Sequence, residues 1–217
     1  EGTGMIQVAL LNQMGDDLSV VNAARVSFDK VHLEMEPSDE KLIKYLADHN
    51  HWSPFAHTSL QFHIRAPIFI ARQLAKHQVG LVWNEVSRRY VSDSPDSWKP
   101  DYWRKAAANK KQGSTDEEVT SNSIVSKIYN ESVRASIATY DNMIEFGVCP
   151  EQARAVLPQA AYTEWYWTGS LYAFSRVCKL RQAADAQAET RYIADQISER
   201  CKINFPISWK HLCKSAT

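Results

Sequence analysis

From Thr58 to Arg65 apolar and polar residues alternate, with Leu60, Phe62 and Ile64 set against Ser59, Gln61, His63 and Arg65. A period of two places each set on its own face, so the stretch is a half-buried strand. Pro67 then opens a helix at a position where its missing N–H costs nothing. That helix runs through Ile68-Phe69-Ile70 into Arg72-Gln73-Leu74-Ala75-Lys76-His77-Gln78. On it Gln73, Lys76 and His77 stand at i, i+3 and i+4 and share one face. Trp83-Asn84-Glu85-Val86-Ser87-Arg88-Arg89-Tyr90 follows as a loop. Polar groups are thus concentrated where a well-packed element ends, an arrangement suited to a phosphate-bearing ligand.

Around this centre the chain reads as α+β, mostly helical with a small mixed or antiparallel sheet. Met5–Leu11 reads as a first strand, Ser19–Ser27 as a short helix, and Ser38 as the N-cap of a helix reaching about His49. There Leu42, Ile43 and Leu46 form the apolar face. His51–His57 is a loop. Ser92–Thr115, rich in Ser, Pro, Lys and Gly, reads as an irregular excursion with a mobile tip at Lys110–Ser114. A long helix is expected from Asp116 to about Phe146, striped by Val119, Ile124, Ile128, Val133, Ile137, Tyr140 and Ile144. Pro150–Arg154 is a short helical turn, broken after Ala155-Val156-Leu157-Pro158. Helices then span Ser170–Gln182 and Asp185–Lys202, and Phe205-Pro206 leads into a last short one. Glu1–Gly4 reads as a cloning remnant, leaving residues 5–217 as a single domain.

At 217 residues with zero formal net charge, the chain has no strong overall field to draw nucleic acid or membrane. No apolar run is long enough to span a bilayer and no signal-peptide pattern is present, which implies a cytoplasmic protein. Cys149, Cys178, Cys201 and Cys213 are far apart in sequence and lack metal-ligand spacing, so they read as reduced thiols. His49, His51 and His57 cluster without HExxH or an acid at ligand spacing, and no metal is expected.

Arginines dominate the remaining chemistry: Arg72, Arg88 and Arg89 with Lys76, Arg154 in its separate turn, and Arg176, Lys179 and Arg181 near a helix end. A guanidinium fork suits both phosphate and the imide edge of a pyrimidine, and Gln73 and Ser87 add neutral donors. Any one of these arginines alone is better read as an exposed helix charge. No GxGxxG, GxxxxGK[ST] or GxSxG occurs, so a dinucleotide would not sit on a Rossmann loop. No Ser/His/Asp or Cys/His set stands out either.

These residues resemble the signature of the flavin-dependent thymidylate synthases: an Arg-His-Arg triplet, seven further residues and a serine, followed shortly by Arg-Tyr. Here it reads Lys76-His77-Gln78, then Val79–Val86, then Ser87-Arg88-Arg89-Tyr90. His51–His57, Phe62–Phe69, Ala153–Pro158 and Leu180–Gln187 resemble the family's other segments in order and spacing. The resemblance implies that Gln73, Lys76, Glu85, Ser87, Arg88 (through its backbone), Arg89, Arg154 and Arg181 hold dUMP. Arg181 is then the catalytic arginine that favours ionisation at N3 of the uracil. Ser53, Lys76, His77, Gln78, Asn84, Ser170, Tyr172 and Arg176 would contact FAD, with His51 beside the substrate. It further implies NADPH and methylenetetrahydrofolate as co-substrates, no attacking cysteine, and a homotetramer with active sites at subunit interfaces.

The chain departs from the family pattern in three places. Lys76 and Gln78 replace the two arginines of the triplet, removing one charge and two bidentate forks. The stretch before Ser87 is one residue longer, so Val79–Val82 is expected to bulge with Gly80 easing the turn. Ser170, Tyr172 and Arg176 differ from the usual flavin-segment residues. The altered triplet feeds one alternative, a nucleotide- or RNA-binding protein on the same scaffold with a decayed FAD site, against which the match at Glu85, Ser87, Arg89, Arg154 and Arg181 argues.

Overall fold

The computed structural model describes residues 5–108 and 113–214. The tip residues Lys110–Gln112 and the leading Glu1–Gly4 lie outside that range. Strand β1 spans Gln7–Met14, starting and ending later than the apolar run suggests. Helix α1 covers Asp17–Arg25, and its N-cap is reciprocal: the Asp16 carboxylate accepts from the Ser19 N–H while Ser19 Oγ accepts from the Asp16 N–H. A 3-10 turn at Val26–Phe28 extends it.

Helix α2 spans Pro37–Asp48. Ser38 is not its cap, because Pro37 takes the first helical position and Glu36 becomes the N-cap. The Glu36 N–H then donates to the buried Asp39 carboxylate at 2.8 Å. Ile43 and Leu46 are buried as expected. The loop after α2 contains a 3-10 turn at Ser53–Ala56. Strand β2 is Ser59–Pro67, and Leu60, Phe62 and Ile64 have no exposed surface. Burying each side chain of this size is worth about 1.5–3 kcal/mol.

Helix α3 is short, Ile68–Leu74, with Ala75 as its C-cap. Lys76 and His77 therefore lie beyond it, and Gln73, Lys76 and His77 do not share a helical face. The reason lies just downstream. Leu81 N–H donates to the Gln78 carbonyl at 3.1 Å, and Gly80 has φ +75°, a position type II turns reserve for glycine. That turn feeds strand β3, Leu81–Glu85, where a loop was expected. The extra residue is thus absorbed by a turn at Val79–Gly80, with Leu81 and Val82 already extended.

The excursion after Ser92 contains paired strands: β4 (Arg104–Ala106) pairs antiparallel with β5 (Ser114–Glu118). Asp116–Glu118 belong to that hairpin, so helix α4 begins only at Asn122 and runs to Glu145. Helix α5 is Pro150–Ala153, followed by a 3-10 turn at Arg154–Val156. Strand β6, Tyr162–Gly169, was not anticipated. Helices α6 (Leu171–Arg181), α7 (Ala188–Asn204) and α8 (Pro206–Leu212) complete the chain. The fold is α+β, mostly helical, with a small antiparallel sheet in the order β1-β2-β6-β3. Among the described residues no helix is long and apolar enough to cross a membrane.

By contact the chain divides into two compact units. Of the described residues, the first comprises 5–7, Arg65–Ala75 and, from Asn84 to Trp165, 84–108 and 113–165, and buries Ile70, Leu74, Val133, Tyr140 and Trp165. Its excursion is pinned by edge-on ring contacts, Phe69 to Trp98 at 5.1 Å and Trp103 to Tyr129 at 4.8 Å. The Tyr129 hydroxyl donates to the Trp98 carbonyl, and burial pushes its pKa up to about 12. The second comprises Val8–Ile64, Lys76–Trp83 and Tyr166–Thr217. There Phe62 and Trp167 both pack edge-on against Phe174, at 5.0 and 5.5 Å. The Asp17 carboxylate accepts from the N–H groups of Ile207 and Ser208 at 3.0 and 2.9 Å, capping α8.

Candidate functional site

In the first unit a cleft of about 830 Å³ is lined by Arg65, Glu85, Ser87, Arg88, Arg154 and Tyr162, among others. The residues after β3 turn sharply, because the Tyr90 and Val91 N–H groups both donate to the Ser87 carbonyl at 3.1 Å. That turn aims Ser87 and Arg88 at the cleft. The Arg88 guanidinium donates to the Asp93 carbonyl, so its side chain is already engaged. Opposite, α5 and its 3-10 extension present Arg154.

One residue braces two arginines here. Arg89 Nε donates to Glu151 Oε2 at 3.1 Å, and Arg154 Nε donates to the Glu151 main-chain carbonyl, also at 3.1 Å. Bonding through Nε leaves each fork's Nη edge directed elsewhere, which is the edge that meets a phosphate bidentately. Arg65, the last polar residue of the alternating strand, donates to Asp96 at 2.6 Å, lies 3.6 Å from Glu164, and stacks 4.0 Å above the Tyr162 ring. Burial pushes the Tyr162 hydroxyl up, with Asp96 adding to the shift and Arg65 opposing it. Gln73, Asn84 and Arg89 belong to this unit but lie outside the cleft lining.

The second unit holds the remaining expected residues in two places. Arg181, the last residue of α6, donates from Nε to His77 Nε2 at 2.9 Å. The His77 pKa is pushed below its ordinary value, first by burial and then by the charges of Arg181 and Arg176. Burial likewise lowers Arg181. Ser170 serves as the N-cap of α6, its Oγ accepting from the Ala173 N–H at 3.1 Å. Lys76 and Gln78 flank His77 in the chain leading to the Gly80 turn.

Elsewhere in this unit, a cleft of about 580 Å³ is lined by Phe28, Tyr45, His51, Trp52 and Ser53 with neighbouring alanines. Its wall is aromatic: Tyr45 stacks on His49 at 4.1 Å and meets the His51 ring edge-on at 5.7 Å. The Trp52 ring lies 5.8 Å from that of Tyr172, which ties this loop to α6.

Sequence reasoning missed Arg65, Glu151, Tyr162 and Trp52. Glu151 carried a signal, standing three residues before Arg154 in a helical turn. Arg65 carried a weaker one, as the charged end of an alternating strand. Burial pushes the thiols of Cys178, Cys201 and Cys213 up, Cys213 to about 12, so they remain protonated and poor nucleophiles. Cys149 is exposed and does not line the first cleft.

The sequence model of the family described as "Thymidylate synthase complementing protein" matches residues 9–207. The flavin-dependent thymidylate synthase of Thermus thermophilus is 39% identical over 217 residues, spanning 96% of this chain and 77% of that protein. The enzyme of the same name from Kosmotoga olearia is 36% identical, over 94% of this chain and 88% of its own. Among solved structures, the UMP/dUMP methylase PolB of Streptomyces cacaoi, bound with 5-Br dUMP, superposes with a TM-score of 0.85. It is 28% identical and covers 95% of this chain and 94% of its own.

Proposed function

This chain belongs to the flavin-dependent thymidylate synthase family, and we propose that it converts dUMP to dTMP by reductive methylation. Methylenetetrahydrofolate gives the one-carbon unit and NADPH is the reductant. FAD, when bound, mediates the transfer and supplies hydride, which is chemistry no side chain here could provide. The observation that carries the dUMP assignment is the first-unit cleft, lined by Glu85, Ser87, Arg88 and Arg154, with Glu151 bonded to Arg154 and to Arg89, which lies outside the lining.

We assign dUMP to Gln73, Lys76, Glu85, Ser87, the Arg88 backbone, Arg89, Arg154 and Arg181. Arg181 favours the N3-ionised uracil, raising nucleophilicity at C5. FAD is assigned to Ser53, Lys76, His77, Gln78, Asn84, Ser170, Tyr172 and Arg176, with His51 beside the substrate. The fit to an anionic, flat cofactor rests on two features of the second unit. Arg176 and Arg181 place positive charge beside His77, adding to the lowering that burial causes first, and Trp52 and Tyr172 offer ring faces. The replaced triplet arginines leave that charge in place. The protonated state of the buried thiols supports a reaction without a cysteine nucleophile.

Residues 5–217 then act as one catalytic domain in a cytoplasmic homotetramer. Support for assembly comes from α4, where Ile124 and Ile128 remain exposed on a long helix that buries only Val133 and Tyr140 within its unit. The test is direct. Purified protein supplied with FAD, methylenetetrahydrofolate and NADPH should oxidise NADPH faster when dUMP is added and should form dTMP. Protein that takes up no flavin and forms no dTMP would leave only the nucleotide-binding alternative.

A further inference from the structure

We propose that His77 is a positioning residue for Arg181: it accepts the Arg181 Nε–H at Nε2 and orients the guanidinium only while its ring is neutral. The proposal rests on the reading above, in which Arg181 faces the uracil, and gives His77 a task beyond contact with the flavin.

Donor chemistry fixes the direction of this bond. Arginine Nε–H can only donate, since a guanidinium has no acceptor and does not lose its proton in proteins. At 2.9 Å His77 Nε2 must therefore present its lone pair. The ring proton sits on Nδ1, and the ring's single remaining donor is Nδ1–H. Protonating His77 would turn Nε2 into a second donor aimed at a donor, and place two cations in hydrogen-bond contact. The bond does not survive that change.

The surroundings support the neutral state. The charged groups acting on His77 are Arg181 and Arg176, both on α6 and both positive, and the ring is half-buried. Both effects hold its pKa below the ordinary 6.5. The sign follows: the contact is complete at neutral pH and is lost as pH falls through that lowered value.

Packing also holds the ring where Arg181 can reach it. The Gly80 turn follows three residues after His77. A Cβ at Gly80 would sit 3.2 Å from the Ala173 Cβ on α6, so the turn lies against the helix that carries Arg181. A bond across 104 residues of sequence thereby becomes a local one.

The test uses the full chain supplied with FAD and measures dUMP affinity from pH 5 to pH 8 by calorimetry, for wild type, His77→Gln and His77→Ala. Flavin affinity is followed in parallel by fluorescence. The dUMP phosphate has its own ionisation near pH 6, so the informative quantity is the ratio of wild type to His77→Gln. Glutamine Oε1 can accept from Arg181 at every pH. The proposal expects His77→Gln to stay within about threefold of wild type at pH 8 and to bind relatively better as pH falls, while His77→Ala loses about tenfold or more throughout. If His77→Ala weakens flavin binding but leaves dUMP affinity unchanged, the positioning role is overturned. A constant ratio between wild type and His77→Gln across the range overturns it equally. A wild-type chain that binds no dUMP at any pH instead sinks the functional reading, and the proposal with it.

Discussion

The two units hold the arginines assigned to the site by different means, although the second also holds Arg25, away from the site, on the Asp39 carboxylate. In the first, the acceptors are anionic or belong to acids: Glu151 for Arg89, Asp96 and Glu164 for Arg65, Asp93 for Arg88. In the second, the acceptor at Arg181 Nε is a neutral imidazole. A carboxylate orients a guanidinium and also cancels part of its charge, so an incoming phosphate must compete with it. An imidazole orients without cancelling charge at that bond. The first arrangement suits recognition of a ligand that brings a full charge of its own. The second suits a group whose direction must be preorganised for charge developing in a reaction, since the imidazole adds no negative charge of its own at that bond.

The sharpest way to break this comparison is at Arg181. Arg181→Ala should lower dTMP formation by about 10²-fold or more while leaving the helical circular dichroism signal unchanged. Arg181→Lys keeps a positive charge and loses the Nε donor to His77. If direction matters, lysine should rescue little, and steady-state kcat reads this. A lysine variant with most of the activity would mean that charge alone suffices there. Next in size is Arg154→Ala in the first unit. Losing a charge-assisted bond worth about 1.5–3 kcal/mol should weaken dUMP binding by about 10- to 100-fold, chiefly in KM. A fall in kcat with KM unchanged would place Arg154 with Arg181 rather than apart from it.

Gly169→Ala probes the support of the second arrangement. A Cβ there would lie 2.6 Å from the Gly80 carbonyl and 2.5 Å from Leu81 Cδ2. The backbone oxygen cannot swing aside, so the Gly80 turn must shift, at a cost of about 1–3 kcal/mol. Thermal unfolding should register the loss, and the pH dependence of dUMP binding should change with it. An unchanged melting temperature would show that the turn has slack and that His77 is held by something else.

How much of this was readable from the residues differs between elements. Strand β2 was, because its alternation is uninterrupted and its apolar set is fully buried. Helices α6 and α8 were as well, each having a clear start at Ser170 or Pro206. Strand β6 was not: Tyr162–Gly169 mixes aromatic and polar residues, and its alternation is visible only once Trp165 and Trp167 are known to be buried. Helix α3 read too long because nothing within Ala75–Gln78 disfavours a helix, and the stop comes from the turn that Gly80 permits downstream. The site residues were legible as types and spacings. Which arginine meets which acceptor was not, since the His77–Arg181 bond depends on two distant segments packing together. The Glu151 brace was nearer to hand, at i−3 from Arg154, and only its bond to Arg89 needed the fold.

The smallest effect expected is also the most pointed test of the comparison. Glu151→Gln keeps an acceptor oxygen for Arg89 and keeps the main-chain carbonyl that holds Arg154, so both orientations survive. What it removes is the negative charge. The pair is about half exposed on each side, so the energy at stake is that of a surface ion pair, about 0.2–1 kcal/mol. If the carboxylate compensates Arg89, its loss should tighten dUMP binding by about two- to fivefold at low ionic strength. The gain should fade in high salt, where a Debye length of about 3 Å at 1 M screens exposed charges. Weaker binding of dUMP at every salt concentration would reverse the sign. Glu151 would then matter for the grip of its carboxylate on Arg89 and not for the charge it cancels, and the contrast between the two arginine sites would collapse into one of geometry.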